Sequence, residues 1–174
     1  MLKGPRKWLM TAFIIATVAV SVAMSYSLSE YLGISIAVRS LHFSVGDFTF
    51  EIPDSGHVRA TTTLILNNTS SYSFLVVGLH QRVLVNGEYF VGVSEKEGIS
   101  TSNPLQLLGR SSQNVSLILS VDLAILETSS PELVELLITP SMQKSWQIYA
   151  DASMDGPLIG RFSMFAARDT GAAS

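Results

Sequence analysis

The chain has no cysteine. Thiolate catalysis, cysteine-ligated zinc and stapling disulfides are therefore excluded. Charge is also scarce. Only 14% of the residues are charged, against about 25% in an average soluble domain. The net charge of -3 provides no basic field for nucleic acid. There is no G-x-S-x-G nucleophile turn and no phosphate-binding glycine loop. The three histidines, His42, His57 and His80, have no partner at a metal-ligand spacing. Asp151 and Asp155, in DASMDG, lack the alternating ligands of a calcium loop. Glu95, Lys96 and Glu97 read as a solvated hairpin end. Nothing marks a catalytic carboxylate pair. These absences point away from an enzyme and call for no cofactor or metal.

Apolar residues make up 47% of the 174 residues, and they open the chain. Lys3, Arg6 and Lys7 precede an uncharged run from Trp8 to Ser29. As a helix at about 1.5 Å per residue, that run is roughly 33 Å long, enough for a bilayer core of about 30 Å. Trp8 and Tyr26 stand near its ends, where interfacial aromatics belong. The positive flank predicts a cytoplasmic N-terminus, residues 1–7, and a single-pass membrane helix over 8–30. Everything beyond is then extracytoplasmic. A cleaved signal peptide is the competing reading, with Ser21-Val22-Ala23 as the cleavage site. Against it, Leu28, Tyr31, Leu32 and Ile34 continue the apolar run.

From residue 35 the pattern changes. Val58, Ala60, Thr62, Leu64 and Leu66 fall on one side of VRATTTLIL. Val115, Leu117, Leu119 and Val121 alternate with polar residues, and so do Trp146, Ile148, Ala150 and Ala152. Period-two alternation marks half-buried strands that need a second sheet over their apolar face. Strands are expected near 37–45, 47–52, 58–66, 73–78, 80–86, 88–94, 113–122, 146–152 and 158–166. Some of these segments are adjacent enough to merge. Asn86-Gly87, between two apolar runs, predicts a tight hairpin. Asp155-Gly156-Pro157 predicts another reversal. Gly98 to Gly109 reads as a loop with one short apolar piece, Leu105 to Leu108. Pro131 after Ser130, with Leu133, Leu136 and Leu137 at helical spacing, predicts one short helix that plugs a sheet opening and ends before Pro140. The expected fold class is all-β: an antiparallel β-sandwich over 35–167 with one short helix, after one N-terminal transmembrane helix. Residues 168–174 are expected to be a flexible tail.

The order of these elements resembles the water-stress and hypersensitive-response domain of group 2 late embryogenesis abundant proteins. LILNNTSSYSFLVVGLHQRVLVNGEYFVGV follows that domain's middle: an apolar strand, an asparagine turn, a Val-rich strand and a short hairpin. Asn67 matches the first asparagine of the family's Asn-Pro-Asn, while Asn68 and Thr69 replace its proline and second asparagine. The resemblance spans roughly Ser35 to Ala166. It implies a fibronectin-III-like sandwich without a catalytic centre, in some members anchored by one N-terminal helix.

Three asparagines, Asn67, Asn68 and Asn114, satisfy Asn-x-Ser/Thr and are candidate N-glycosylation sites on the translocated side. Asn67 to Ser71 also suits a chain reversal. The functional expectation is a non-catalytic membrane protein whose outer sandwich binds protein partners, as an accessory or structural subunit. An autonomous desiccation- or salt-stress protein, and a sandwich that holds lipid or another apolar ligand, are the alternatives. The expected partners are the membrane and other proteins; nucleic acid is not among them.

Overall fold

The structure is a computed structural model that describes residues 5–53, 56–95, 97–139 and 142–170. Lys3, Lys96 and residues 171–174 of the tail lie outside them. The chain opens with one helix, α1, Pro5–Arg39. Among the described residues eight strands follow: β1 (Leu41–Glu51), β2 (His57–Asn68), β3 (Phe74–Val85), β4 (Glu88–Glu95), β5 (Leu105–Leu107), β6 (Ser111–Asp122), β7 (Trp146–Gly156) and β8 (Gly160–Thr170). Helices α2 (Leu123–Ser129) and α3 (Pro131–Ile138) interrupt them after β6.

The strands form two antiparallel sheets. One has the order β1-β2-β6, the other β4-β3-β7-β8, with β5 paired to the first residues of β3. The alternating residues of the sequence pack between the sheets. Val58, Ala60, Thr62, Leu64 and Leu66 are all fully buried. Leu117 of β6 stands beside Thr62 in the same sheet, and the buried Ile148, Ala150 and Ala152 of β7 belong to the facing one. The result is the all-β sandwich expected from the alternation.

Several boundaries move. The segment 37–45 is helical up to Arg39, because Ile34 and Ala37 are buried against the sandwich and carry the helix onward. The first strand therefore starts at Leu41. Segments 37–45 and 47–52 join as β1 around a bulge at Gly46-Asp47, where the register slips between Val45 and Phe48. Segments 73–78 and 80–86 likewise join as β3, with a bulge between Val76 and Gly78. Residues 168–170, expected to fray, are the end of β8 and pair with Trp146 to Ile148. A second short helix, α2, accompanies the expected α3. Asp122 caps it, accepting from the Ala124 amide at 2.9 Å.

The interior divides into two lobes. The lobe beside α1 contains Leu41, Leu64, Leu66, Phe74, Leu107 and Met154. The far lobe contains Val58, Val83, Phe90, Trp146, Ile148 and the leucines of α3. Thr62 of β2 and Gln81 of β3 stand at the waist between them, 0% and 1% exposed. Among the described residues, neither the Thr62 hydroxyl nor the Gln81 amide has a hydrogen-bond partner.

Candidate functional site

Two places gather chemistry-bearing side chains. The first is the outer face of the β3-β7-β8 sheet. Antiparallel pairing sets His80 opposite Asp151, Arg82 opposite Tyr149 and Asp151 opposite Phe165. Pleating turns these side chains away from the core. His80 Nδ1 lies 3.0 Å from Asp151 Oδ2. A Cβ at Gly78 would stand 3.3 Å from His80 Cε1, so the glycine in the β3 bulge makes room for the ring. Beside the pair, Arg82, Leu84, Tyr149, Ala150, Asp151 and Phe165 line an open groove of about 410 Å³. Phe165 is 79% exposed and Tyr149 45%. One cation, one acid–base pair and two aromatic faces suit recognition of a mixed polar and apolar surface. Among the described residues, no group of three His, Asp or Glu side chains could hold a metal.

The second place is the end of the sandwich where α1 enters. Asn68 is fully buried there. Its side-chain amide donates to the carbonyls of Tyr72 at 2.7 Å and Leu108 at 2.9 Å. Its carbonyl accepts from the Ser70 amide at 3.1 Å and the Ser70 hydroxyl at 2.7 Å. Asn68 thus folds the 69–73 reversal onto itself and ties it to the loop after β5. Gly109 lets the two loops meet: a Cβ there would lie 2.6 Å from the Ser71 carbonyl oxygen. The Tyr72 hydroxyl reaches Glu30 of α1 at 3.5 Å. Desolvation, then the neighbouring Glu30 carboxylate, pushes that phenol above its ordinary range. Gly33 lets Tyr72 approach the helix, since a Cβ there would stand 2.6 Å from the hydroxyl.

The glycosylation candidates separate on this geometry. Asn68 has its side-chain amide engaged with two carbonyls and is fully buried. Asn67 is half-buried on the central strand β2, opposite His42 and Ser112. Asn114 is exposed on the edge strand β6.

The two predicted turns also differ. Asn86 and Gly87 form a two-residue loop with φ of 49° and 87°, closing the pair Val85–Glu88. Asn86 Oδ1 accepts from the Ser145 amide at 2.8 Å, which fixes the hairpin to the segment before β7. Asp155 and Gly156, by contrast, are the last residues of β7 and do not form the turn. They pair with Arg161 and Gly160, and the reversal is Pro157-Leu158-Ile159. The reason is the cross-strand pair: Arg161 donates to Asp155 at 2.9 and 3.1 Å and holds it in the ladder. That hydrogen bonding also keeps the Asp155 carboxyl below its ordinary range.

Sequence reading missed the His80–Asp151 pair. The partners are 71 residues apart, and only the register of β3 against β7 brings them together. The outward direction of Tyr149 and Asp151 could be read from the β7 alternation.

No protein-family model and no curated protein matches the sequence. Solved structures do. A putative late embryogenesis abundant protein, determined in solution, superposes with a TM-score of 0.54 at 11% identity, over 94% of this chain and 89% of that one. A protein from Arabidopsis thaliana, also determined in solution, gives 0.51 at 14% identity, over 76% and 82%. The sandwich therefore has the fold of a late embryogenesis abundant-like protein.

Proposed function

We propose that this chain is a non-catalytic, single-pass membrane protein whose extracytoplasmic sandwich binds other proteins, as an accessory or structural subunit of a membrane or cell-surface complex. The observation that carries this reading is the state of α1. Its apolar window is 0% buried within the chain, and the helix is long and apolar enough to cross a membrane. A soluble protein would cover such a helix; here a bilayer is the natural cover. The outer groove at Arg82, Tyr149 and Phe165 is the partner surface of this reading. Asn114, exposed at the sheet edge, is the sequon that would carry a glycan, and Asn114→Gln would then remove one mobility step.

Apolar side chains from both sheets fill the core lobes, which argues against the lipid-carrier alternative. The likeness to a late embryogenesis abundant fold favours the stress-protection alternative only at the level of fold. Detergent extraction of native membranes, followed by size separation and mass spectrometry, tests the proposal. A discrete complex of fixed composition supports it. A lone monomer with α1 intact refutes the subunit role and leaves stress protection as the better reading.

A further inference from the structure

The hairpin between β7 and β8 turns through a leucine. Leu158 has φ of 64°, and the Ile159 amide donates to the Pro157 carbonyl at 2.8 Å across it. Glycine and asparagine suit this left-handed conformation, whereas a bulky apolar side chain does not. Leu158 is nevertheless there, and 70% exposed. Scattered exposed leucines need no explanation, but a leucine at a strained apex facing water has no role within the fold.

Its position supplies one. β7 runs toward the end of the sandwich where α1 enters: Leu75, one residue into β3, pairs with Asp155, while β3 follows directly from Tyr72 and its contact with α1. A Cβ on Gly156 would meet Phe74 at 3.2 Å, so the turn sits at the level where β3 begins. The loop after β5, at this same end, exposes a second leucine, Leu108, at 51%. The helix cannot swing this end away. Ile34 and Ala37 are buried against the sandwich, Gly33 lies under Tyr72, and the Thr69 hydroxyl donates to the Ser40 carbonyl at 3.0 Å. A helix fixed in this way presents the same face of the domain to the bilayer that it enters.

We propose that Leu158, with Leu108 beside the loop of Asn68, inserts into the interface of the same bilayer that α1 spans, as a second membrane contact that fixes the orientation of the sandwich. This rests on the membrane reading of α1. The occupant is the headgroup and upper acyl region, which accepts single apolar side chains flanked by arginines such as the exposed Arg110 and Arg161. The outer groove of the β3-β7-β8 sheet would then point sideways, open to a partner in the same membrane.

The absence of native cysteine makes the test clean. Three single-cysteine variants of the full chain, Leu158→Cys, Ser120→Cys and Ala19→Cys, carry an environment-sensitive fluorophore. They are reconstituted in vesicles of phosphatidylcholine and phosphatidylglycerol with lipid-borne spin-label quenchers. The expected result is loss of fluorescence at 158 and 19 and none at 120, near the far end. Quenching at 19 but not at 158 overturns the inference and leaves the membrane anchor standing. No quenching at 19 removes the anchor and the inference with it. Unlabelled Leu158→Asn guards against an effect of the dye. In detergent-free buffer with amphipol its thermal midpoint should equal or exceed that of the parent, because asparagine tolerates the apex. In vesicles the midpoint should fall below the parent's; a midpoint that stays equal or higher in vesicles also overturns the inference.

Discussion

The two ends of the sandwich are closed by opposite chemistry. At the far end, Phe48, Phe50 and Phe90 pack around Trp146 with ring centroids 4.7 to 5.8 Å away, and α3 covers them with Leu133, Val134 and Leu137. At the end beside α1, one buried asparagine holds two loops, and two glycines allow backbone and helix to approach. The aromatic end is held by area removed from water, which is non-directional and tolerant of small shifts. The asparagine end is held by a few directional hydrogen bonds, whose loss weakens the pairing of part-buried carbonyls. The directional end is the one that meets α1.

Substitutions can break this comparison. The largest effect is expected from Trp146→Ala, which removes the centre of the aromatic cluster and should cost about 4 kcal/mol in denaturant unfolding. A loss below about 1 kcal/mol would mean that the far end collapses around the gap. Next is Asn68→Ala, which should cost roughly 3 kcal/mol by removing the four hydrogen bonds of a buried side chain and leaving the Tyr72 and Leu108 carbonyls only the Ser70 and Ser111 hydroxyls. It should also raise hydrogen exchange in residues 69–73 before the far end responds. Uniform exchange across both ends would show that the closure is not local.

The waist sharpens the contrast. Thr62→Val removes a buried hydroxyl that has no protein partner, so stability should rise by about 1 kcal/mol. A fall would show that the hydroxyl is hydrogen-bonded in solution, and would make the waist a third polar device. The smallest effect belongs to Arg161→Ala. Asp155 has a lowered folded-state pKa, so its pairing stabilises above the unfolded carboxyl value and fades as pH falls through the lowered one. Arg161 is exposed and Asp155 half-buried, so solvent screens the pair and the difference between parent and variant should be slight at neutral pH. It should vanish once the pH has fallen below the lowered folded-state value and both states are protonated. A difference that survives in acid would assign the effect to packing of the arginine stem.

The same comparison explains which parts could be read before the fold was known. The far end is written in local signals. Asn86-Gly87 sets its hairpin, Pro131 with leucines at helical spacing sets α3, and strict alternation turns Trp146 and Ile148 inward. Each signal lies within a few residues, so composition and period suffice. The end beside α1 depends on contacts between distant segments. Asn68 reaches Leu108 across 40 residues, and Tyr72 reaches Glu30 across 42. An Asn-Asn-Thr stretch in sequence therefore fits a turn and a glycan acceptor together, and only the tertiary contacts show that Asn68 is buried. The Asp155-Gly156 reversal failed for a related reason: a cross-strand arginine kept the pair in the ladder and moved the turn onward.

By itself the sequence determined the class of the molecule. An uncharged N-terminal run, period-two alternation with turn residues between, and no cysteine leave an apolar helix followed by a sandwich that stands on its core. Those are properties of neighbouring residues, and they persist however the strands are arranged. The tertiary structure alone decided the close approach of Gly33 and Tyr72, the burial of Asn68, the pairing of His80 with Asp151, and the leucine at the apex of the β7-β8 turn. Each depends on strand register and on which loops share an end, and register is set by the packing of the whole core.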